Sequence, residues 1–432
     1  MSPGGERTNG YRRRVVDSEL DELIVGLPAL VLEGAKGVGK TATASRRAET
    51  IHGLDDPVQR KIAIADPSRL LDGPGPVLID EWQYVPESWD LVRRAVDAGA
   101  APGRFLLTGS ALGIGLTTHS GAGRIVSVRL RPLSLAERGL ATPTVSLKTL
   151  LTGAKAPIEG HTVCALEDYT REIVASGFPG LRGLQGRAQR AQLDGYLLRI
   201  VDRDFPELGR PVRNPAALRR WMTAYAAASS TSASFETIRD ASTGGHGEKP
   251  AKSTTIPYRD ALERLWILDP VPAWLPTRNR IARLSAPPKH QLADPALAAR
   301  LLGVGAGSLL DGIAPPGPSV PRDGTLLGAL FESIVTLSTR VYAQASEASV
   351  KHLRTASGAR EIDLIVERAD GRIIAIEVKL ARDPTERDTR HLKWLQGQIG
   401  DTLLDAILIT TGEYAYRRKD GIAIIPAALL GP

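Results

Sequence analysis

The stretch "ALVLEGAKGVGKT", residues 29–41, runs from a short apolar segment through a glycine-rich loop to the start of a helical segment. The loop "GAKGVGKT" matches the pattern G-x-x-x-x-G-K-[ST] at every fixed position. Glycines let backbone N–H groups surround phosphate oxygens, and the positive end of the following helix dipole favours an anion. The stretch therefore predicts a phosphate-binding loop between a strand and a helix of an α/β domain.

The loop also predicts which residues bind a nucleotide. Lys40 is expected to reach the β- and γ-phosphates, and the hydroxyl of Thr41 is expected to ligate Mg²⁺. ATP and Mg²⁺ are the predicted cofactors. The residues predicted to contact the nucleotide are those of the loop and the one after it, Gly34, Ala35, Lys36, Gly37, Val38, Gly39, Lys40, Thr41 and Ala42.

A second motif, "PVLIDEWQ" at residues 76–83, is an apolar run that ends in two acids. At the carboxyl end of a parallel strand, Asp80 is expected to hold the Mg²⁺ shell and Glu81 to polarise the attacking water. This pair favours an ATP-hydrolysing enzyme over a kinase or a GTPase. The alternative for Glu81 is an exposed carboxylate at a strand end.

Further candidates follow the next core strand, in "LLTGS" at residues 106–110. Thr108 and Ser110 are polar side chains that we expect to sense the γ-phosphate or position the water; the alternative is a simple turn. Arg124, in "SGAGRIVSV", is a candidate arginine near the phosphates, and it equally fits a surface position.

The apolar pattern divides the chain. Short apolar runs alternate with amphipathic helices in the first third, which is typical of a parallel sheet covered on both faces. In the middle, helix, turn, helix and strand outline a winged helix, and the alternative is a helical lid without a DNA role. We predict a basic N-terminal segment (1–20), a P-loop domain (21–155), a helical and winged-helix-like domain (156–311), a Gly/Pro-rich linker (312–324) and a small α/β domain (325–432).

Composition limits the classes of protein that fit. The 432 residues carry a formal net charge of +7, which fits a polyanion partner such as DNA or a basic excess spread over the surface. One cysteine, Cys164, excludes an intramolecular disulfide. We expect a cytoplasmic chain without a membrane span or secretory signal, and the sequence is compatible with a homo-oligomer.

Taken in order along the chain, the motifs resemble those of AAA-type P-loop ATPases with a C-terminal DUF4143 domain. The specific segments are "GRIVSVRLRPLSLAE", "SGFPG", "YLLRIVDRDF", "PPKHQLADPALAARLLG" and "GALFESIVTLST", in addition to the two nucleotide motifs. Lys36 departs from the arginine usual in this family. The resemblance implies an AAA/ASCE-type parallel sheet, ATP binding, a cytosolic location and a restriction-endonuclease-like C-terminal domain.

Nucleases of the PD-(D/E)xK group combine a helix Glu, a strand acid and Glu-x-Lys on the next strand, and this chain has each part. They are Glu332 in "GALFESIV", Asp363, Glu377 and Lys379. The three acids would bind Mg²⁺ or Mn²⁺, which prefer oxygen ligands, and Lys379 would help to position or deprotonate a water.

The register of the hairpin "EIDLIVERADGRIIAIEVKL", residues 361–380, tests this site. A three-residue turn at 369–371 pairs Asp363 with Glu377, which is unfavourable without a cation between them. The same register sets Glu361 opposite Lys379, so the alternative is a cross-strand ion pair that occupies the lysine. A two-residue turn would place Asp363 and Glu377 on opposite faces.

These observations lead to two hypotheses. The first is a Mg²⁺-dependent ATPase coupled to DNA binding or processing by a nuclease-like domain. The second is a non-cutting, ATP-dependent switch that binds DNA or a protein partner.

Overall fold

The structure is a computed structural model. It describes residues 10–109, 121–209, 212, 214–244, 249–275, 286–311, 326–355 and 358–432. The predicted linker and Ser110 lie outside the described residues.

Helices and strands alternate in the first third and at the C-terminal end, with helices between. The α-helices are α1 Val16–Gly26, α2 Lys40–Ser45, α3 Pro57–Ala65, α4 Glu87–Asp97, α5 Leu135–Arg138, α6 Leu147–Leu151, α7 Leu166–Ala175, α8 Gly186–Arg199, α9 Phe205–Glu207, α10 Pro215–Ala227, α11 Phe235–Ala241, α12 Lys252–Arg264, α13 Pro295–Leu301, α14 Ala306–Leu310, α15 Leu326–Gln344 and α16 Arg390–Ile399. The strands are β1 Ala29–Glu33, β2 Thr50–Gly53, β3 Val77–Asp80, β4 Phe105–Thr108, β5 Val126–Arg129, β6 Val145–Ser146, β7 Gly160–His161, β8 Ser349–Arg354, β9 Glu361–Glu367, β10 Ile373–Val378, β11 Leu403–Thr410, β12 Tyr414–Arg417, β13 Ala423–Pro426 and β14 Leu430–Gly431.

The first sheet is parallel, with strand order β2-β3-β4-β1-β5. All residues of β3 and β4 are buried, which explains why they are continuous apolar runs rather than alternating ones. Since β4 separates β1 from β3, Thr108 is the register partner of both Leu32 and Asp80. The predicted α/β P-loop architecture is confirmed, and its polar residues meet at the carboxyl edge.

The middle of the chain is helical and ends in a β-ribbon. Helices α10, α11 and α12 are followed by two antiparallel bridges, Leu268↔Leu292 and Val271↔Lys289. Aromatic rings pack between the helices: the centroids of Trp221 and Tyr258 are 6.4 Å apart. Three helices and a ribbon have the outline of the predicted winged helix. We call residues 268–271 and 289–292 the ribbon.

The second large sheet is mixed, with strand order β7-β12-β13-β11-β10-β9-β8. Two strands from the first half of the chain belong with the C-terminal part. The strand Gly160–His161 pairs with β12, and Val145–Ser146 pairs with Leu430–Gly431. The C-terminal part therefore pairs with residues on both sides of the predicted boundary between residues 155 and 156. This pairing was not predicted, because two-residue strands have too little periodicity to be recognised in a sequence.

Helix α15 is long and apolar enough to cross a membrane by length and composition alone. In the structure, 72% of its 18-residue apolar window is buried. It packs against β8 and α7, as the core helix of a globular domain does.

Candidate functional site

The phosphate-binding loop joins β1 to α2 in a conformation that requires its glycines. Gly37 and Gly39 have φ values of 82° and 99°, a region that residues with side chains rarely adopt. A Cβ on Gly34 would lie 2.2 Å from the backbone oxygen of Leu130. A residue larger than glycine would therefore displace the backbone at this loop.

The side chain of Lys40 is buried over the loop. Its Nζ donates hydrogen bonds to the carbonyl oxygens of Gly34, at 2.9 Å, and Ala35, at 3.1 Å. Burial lowers the pKa of Lys40 below its ordinary value, and the carboxylates of Glu81 and Asp80 oppose that shift. These contacts keep the ammonium group at the centre of the loop.

Asp80, the last residue of β3, accepts hydrogen bonds from two hydroxyl groups. Thr41 Oγ1 donates to Asp80 Oδ1 at 2.8 Å, and Thr108 Oγ1 donates to the same oxygen. Thr41 lies in the first turn of α2 and Thr108 is the last residue of β4, and both face the carboxyl edge of the sheet. Thr108 therefore contacts Asp80 directly, and its contact with the γ-phosphate or the attacking water stays a prediction.

Glu81 follows Asp80 in a left-handed backbone conformation, with φ of 55°. Its backbone N–H donates to Thr108 Oγ1 at 3.4 Å, and Gln83 Nε2 donates to its carboxylate. A side-chain-bearing residue in this conformation is uncommon, and such residues cluster at functional sites. Glu81 is thus more constrained than an ordinary exposed carboxylate at a strand end.

The expected position of Arg124 near the phosphates is wrong. Arg124 precedes β5, which runs parallel to β1 with Val126 opposite Leu30. It therefore lies at the amino edge of the sheet, whereas the loop leaves the carboxyl edge. There Arg124 Nε donates to Asp97 Oδ1 at 2.8 Å.

The side chain of Lys36 is engaged by acids, not held free for phosphate. Its Nζ lies 2.7 Å from Asp204 Oδ1 and 2.7 Å from Glu207 Oε2. Burial would lower the pKa of Lys36, but the hydrogen bonds to these two acids raise it above the ordinary value. Lys36 thus joins the loop to the segment after α8.

An aromatic cavity of 310 Å³ lies beside Lys36 and Gly37. Phe178 and Tyr196 line it, with ring centroids 4.9 Å apart, and Tyr196 donates from its hydroxyl to the carbonyl of Lys36 at 3.0 Å. Sequence reasoning missed this surface, although "SGFPG" and "YLLRIVDRDF" contain the two rings. Phe178 and Tyr196 are 18 positions apart, and both lie far along the chain from the loop at residues 34–41. No periodic pattern in the sequence therefore indicates that they are close to it.

Arg14, from the predicted basic N-terminal segment, forms a hydrogen bond with the backbone of the phosphate-binding loop. It is buried, its Nη1 donates to the carbonyl of Val38 at 3.0 Å, and its Nε donates to Glu137 Oε1 at 2.9 Å. In the sequence, Arg14 is the third of three consecutive arginines and indicated only charge.

At the C-terminal hairpin, the predicted register is confirmed. Ile376 pairs with Leu364, and the backbone N–H of Arg368 donates to the carbonyl of Arg372 at 2.9 Å. Continued by one residue, this register sets Glu377 opposite Asp363. The cross-strand arrangement of two acids therefore exists.

Lys289, which is not one of the predicted site residues, lies in this acidic cluster. Lys289 Nζ lies 2.9 Å from Glu332 Oε1, 3.0 Å from Asp363 Oδ1 and 3.2 Å from Glu361 Oε1. Lys379 Nζ lies 2.7 Å from Glu377 Oε1, so the predicted alternative of a Glu361–Lys379 pair is wrong. Both ends of the cluster are neutralised by lysines of this chain.

The metal ligands predicted here do not fit a bound metal. Among the described residues, no group of three or more His, Cys, Asp or Glu side chains is arranged to hold a metal ion. Glu332 and Asp363 are bridged by the ammonium of Lys289, which would have to leave before a metal could enter. The prediction of a second metal site at Glu332, Asp363 and Glu377 is therefore not supported.

Burial and mutual repulsion perturb these acids. Burial and the neighbouring Asp363 raise the pKa of Glu332 to about 8. Burial would raise the pKa of Asp363, but the charge of Lys289 holds it below its ordinary value. Removing Lys289 would thus leave the cluster without its principal counter-charge.

The cluster opens into a cavity of 770 Å³ between the middle helices, α15 and the hairpin. Its lining includes Arg354, Arg390 and His391 from the C-terminal domain, together with Ser232 and Thr237 near α11. Arg354 and Arg390 are exposed. Basic side chains thus line the same cavity as the acidic cluster.

Three domain families match separate parts of the chain. Residues 27–138 match the AAA domain family, residues 166–308 match a domain of unknown function (DUF8612), and residues 327–430 match a domain of unknown function (DUF4143). The first match contains the P-loop and Asp80, and the third contains the hairpin. The nuclease-like assignment of DUF4143 stays a prediction.

Similar proteins include two from mycobacteria. The uncharacterized proteins Rv2008c of Mycobacterium tuberculosis and Mb2031c of Mycobacterium bovis are each 27% identical over 425 residues, covering 96% of this chain and 83% of each relative. The Walker-type ATPase PABY2304 of Pyrococcus abyssi matches with a TM-score of 0.40 and 18% identity, over 70% of this chain and 98% of that chain. The chain thus combines an AAA domain at residues 27–138, which contains the P-loop, with a DUF4143 domain at residues 327–430.

Proposed function

We propose that this chain is a Mg²⁺-dependent ATPase whose hydrolysis site is formed by the P-loop and the carboxyl end of β3. The observation that carries the proposal is the convergence of Thr41 and Thr108 hydroxyls on Asp80 Oδ1, next to Glu81. An activating carboxylate directly after a metal-holding one is the arrangement expected for water attack on a γ-phosphate.

Each residue then has a distinct task. Lys40 binds the β- and γ-phosphates with an ammonium that the loop carbonyls already hold in place. Thr41 and Asp80 supply the hydroxyl and carboxylate oxygens that suit Mg²⁺, which neutralises phosphate charge when bound. Glu81 accepts a proton from water, and Gln83 orients its carboxylate.

The adenine base fits the aromatic cavity beside Lys36. Phe178 and Tyr196 offer ring faces and edges on which a planar base packs. The cavity is adjacent to the loop that holds the phosphates, which supports one continuous nucleotide site.

Replacing Lys40 with Ala is expected to reduce ATP hydrolysis to background and to weaken ATP binding, because the phosphates lose their ammonium partner. Phosphate release and nucleotide affinity measure the two effects. Lys61→Ala removes an exposed lysine from α3 and serves as the matched control, with turnover near wild type. Undiminished hydrolysis by Lys40→Ala would remove the basis for the P-loop assignment.

For the C-terminal cavity we propose binding of DNA without cleavage. Arg354 and Arg390 on its exposed rim and the formal net charge of +7 support a polyanion ligand. Residues 230–233 and Thr237, from the helical part of winged-helix outline, line the same cavity, which favours DNA among polyanions. The lysine within the acidic cluster disfavours a metal-dependent cut.

The double substitution Arg354→Ala/Arg390→Ala is expected to weaken binding to duplex DNA and to lower the slope of log affinity against log salt by about 2, one for each lost phosphate contact. Fluorescence anisotropy at several salt concentrations measures both. Arg372→Ala, at the exposed hairpin turn, is the control.

The nuclease hypothesis is tested on the same samples. Plasmid, single-stranded and branched DNA are incubated with Mg²⁺ or Mn²⁺ and wild-type protein, and we expect them to stay intact. Cleavage by wild type that is lost in Asp363→Ala would show instead that the hairpin is a nuclease site.

A further inference from the structure

The side chain of Lys289 is held at its backbone and at its charged end. Its N–H donates to the carbonyl of Val271 at 2.9 Å, and its own carbonyl accepts from Val271 N–H at 2.8 Å. The next residue, His290, is anchored to Thr231 through a backbone hydrogen bond of 2.8 Å. Lys289 is therefore a fixed projection of the ribbon toward the C-terminal domain, and it is 0% exposed.

At the other end, its ammonium group has three carboxylate partners. An ammonium has three N–H donors, and Glu332, Asp363 and Glu361 lie 2.9, 3.0 and 3.2 Å from Nζ. Glu332 belongs to α15, whereas Glu361 and Asp363 are two residues apart on β9. Burying acids at such short separations costs free energy unless a cation lies between them.

One further carboxylate oxygen indicates a site for a cation of higher charge than an ammonium group. Glu377 is 4% exposed, and its Oε2 has no hydrogen-bond partner among the described residues. Glu377 lines the same cavity as Glu332 and Asp363, and it lies opposite Asp363 across the hairpin. Hard divalent cations take six or more oxygen ligands at about 2.0–2.6 Å, and they would need the oxygens that Lys289 now contacts.

We propose that Lys289 is a tethered cation that takes the place of a divalent ion between Glu332 and Asp363, so that this carboxylate site accepts Mg²⁺ or Mn²⁺ only when the lysine is removed. The ribbon thereby keeps the site closed. The inference goes beyond the proposed ATPase function and does not depend on it.

The test measures Mn²⁺ binding in the absence of nucleotide. The free Mn²⁺ is quantified by electron paramagnetic resonance. We compare wild type, Lys289→Met and Lys289→Met/Asp363→Asn. Lys289→Met keeps an unbranched side chain, one atom shorter, and removes its charge; it is expected to bind one more Mn²⁺ per chain than wild type. The added site is expected to vanish in the double variant. Any ion held by Asp80 and Thr41 is common to all three samples and cancels.

A folded Lys289→Met protein that gains no Mn²⁺ would overturn the proposal. Thermal melting with and without Mn²⁺ gives a second readout, since only Lys289→Met is expected to be stabilised by the ion through the carboxylate cluster. If Lys289→Met does not fold, wild type and Asp363→Asn decide the question. Equal Mn²⁺ binding supports the closed site, and a loss of one ion in Asp363→Asn overturns it.

Discussion

Glu81→Gln is expected to lower ATP turnover by about 100- to 10,000-fold while ATP affinity stays close to that of wild type. The amide keeps the size and hydrogen-bonding capacity of the side chain but cannot accept a proton from water. Binding is spared because Lys40 and the loop, which contact the phosphates, are untouched. Phosphate release in steady state and nucleotide titration separate the two quantities.

Two further variants sharpen this result. Glu159→Gln changes an exposed carboxylate far along the chain and is expected to have wild-type turnover. Gln83→Ala removes the side chain that donates to Glu81 and is expected to lower turnover less than Glu81→Gln does, without changing affinity. Turnover of Glu81→Gln within about twofold of wild type would mean that Glu81 is only a carboxylate at a strand end.

The residues proposed for the nucleotide site could be recognised in the sequence because they lie close together along the chain or at the end of a clear apolar run. Lys40 and Thr41 lie within one motif, and Asp80 ends an apolar run whose length identifies a buried strand. The hairpin register followed from counting across the turn at Arg368 and Arg372. In each case, a few adjacent residues determine the geometry.

The features that were missed depend on long-range packing. Lys289 is 74 residues from Asp363 along the chain, in a proline-rich segment without periodicity, and only the docking of the ribbon brings it to the acids. For Arg124 the sequence left a position near the phosphates and a surface position equally open, and only the sheet shows that this residue precedes β5 at the amino edge. A charged residue in a sequence motif is therefore a candidate for the functional site. The order and direction of the strands determine at which edge of the sheet that residue lies.

A second buried charge cluster connects the ribbon to the rest of the molecule. Asp269 accepts from Arg129 Nη1 at 3.0 Å and Arg131 Nε at 3.1 Å, and Arg340 Nη1 lies 2.7 Å from it. The first two arginines belong to β5 and the residues after it, and the third belongs to α15. Asp269 on one side of the ribbon and Lys289 on the other thus join the P-loop sheet to the C-terminal domain.

Asp269→Ala is expected to lower the free energy of unfolding by about 3–5 kcal/mol, because it leaves three largely buried guanidinium groups, 12–22% exposed, without their carboxylate. Burial would raise the pKa of Asp269, but Arg340 and Arg129 hold it below the ordinary value. The stabilisation is therefore present above the unfolded-state pKa of about 3.9 and is lost as the pH falls through the lower, folded-state pKa. Urea denaturation at neutral pH, followed by tryptophan fluorescence, measures the change.

The fluorescence probe lies next to the cluster, since the guanidinium of Arg129 is 4.2 Å from the ring centroid of Trp266. Asp260→Asn, which breaks a half-exposed ion pair with Arg259, is the matched control and is expected to change stability by about 0.5 kcal/mol or less. The double variant Asp269→Ala/Arg340→Met is expected to be less destabilised than the sum of its single variants, because each change removes a charge that the other leaves uncompensated. Strict additivity would mean that the charges of Asp269 and Arg340 do not stabilise one another, and α15 would then hold the ribbon through packing and the hydrogen bonds from Arg340 to the carbonyl oxygens of Asp269 and Pro270.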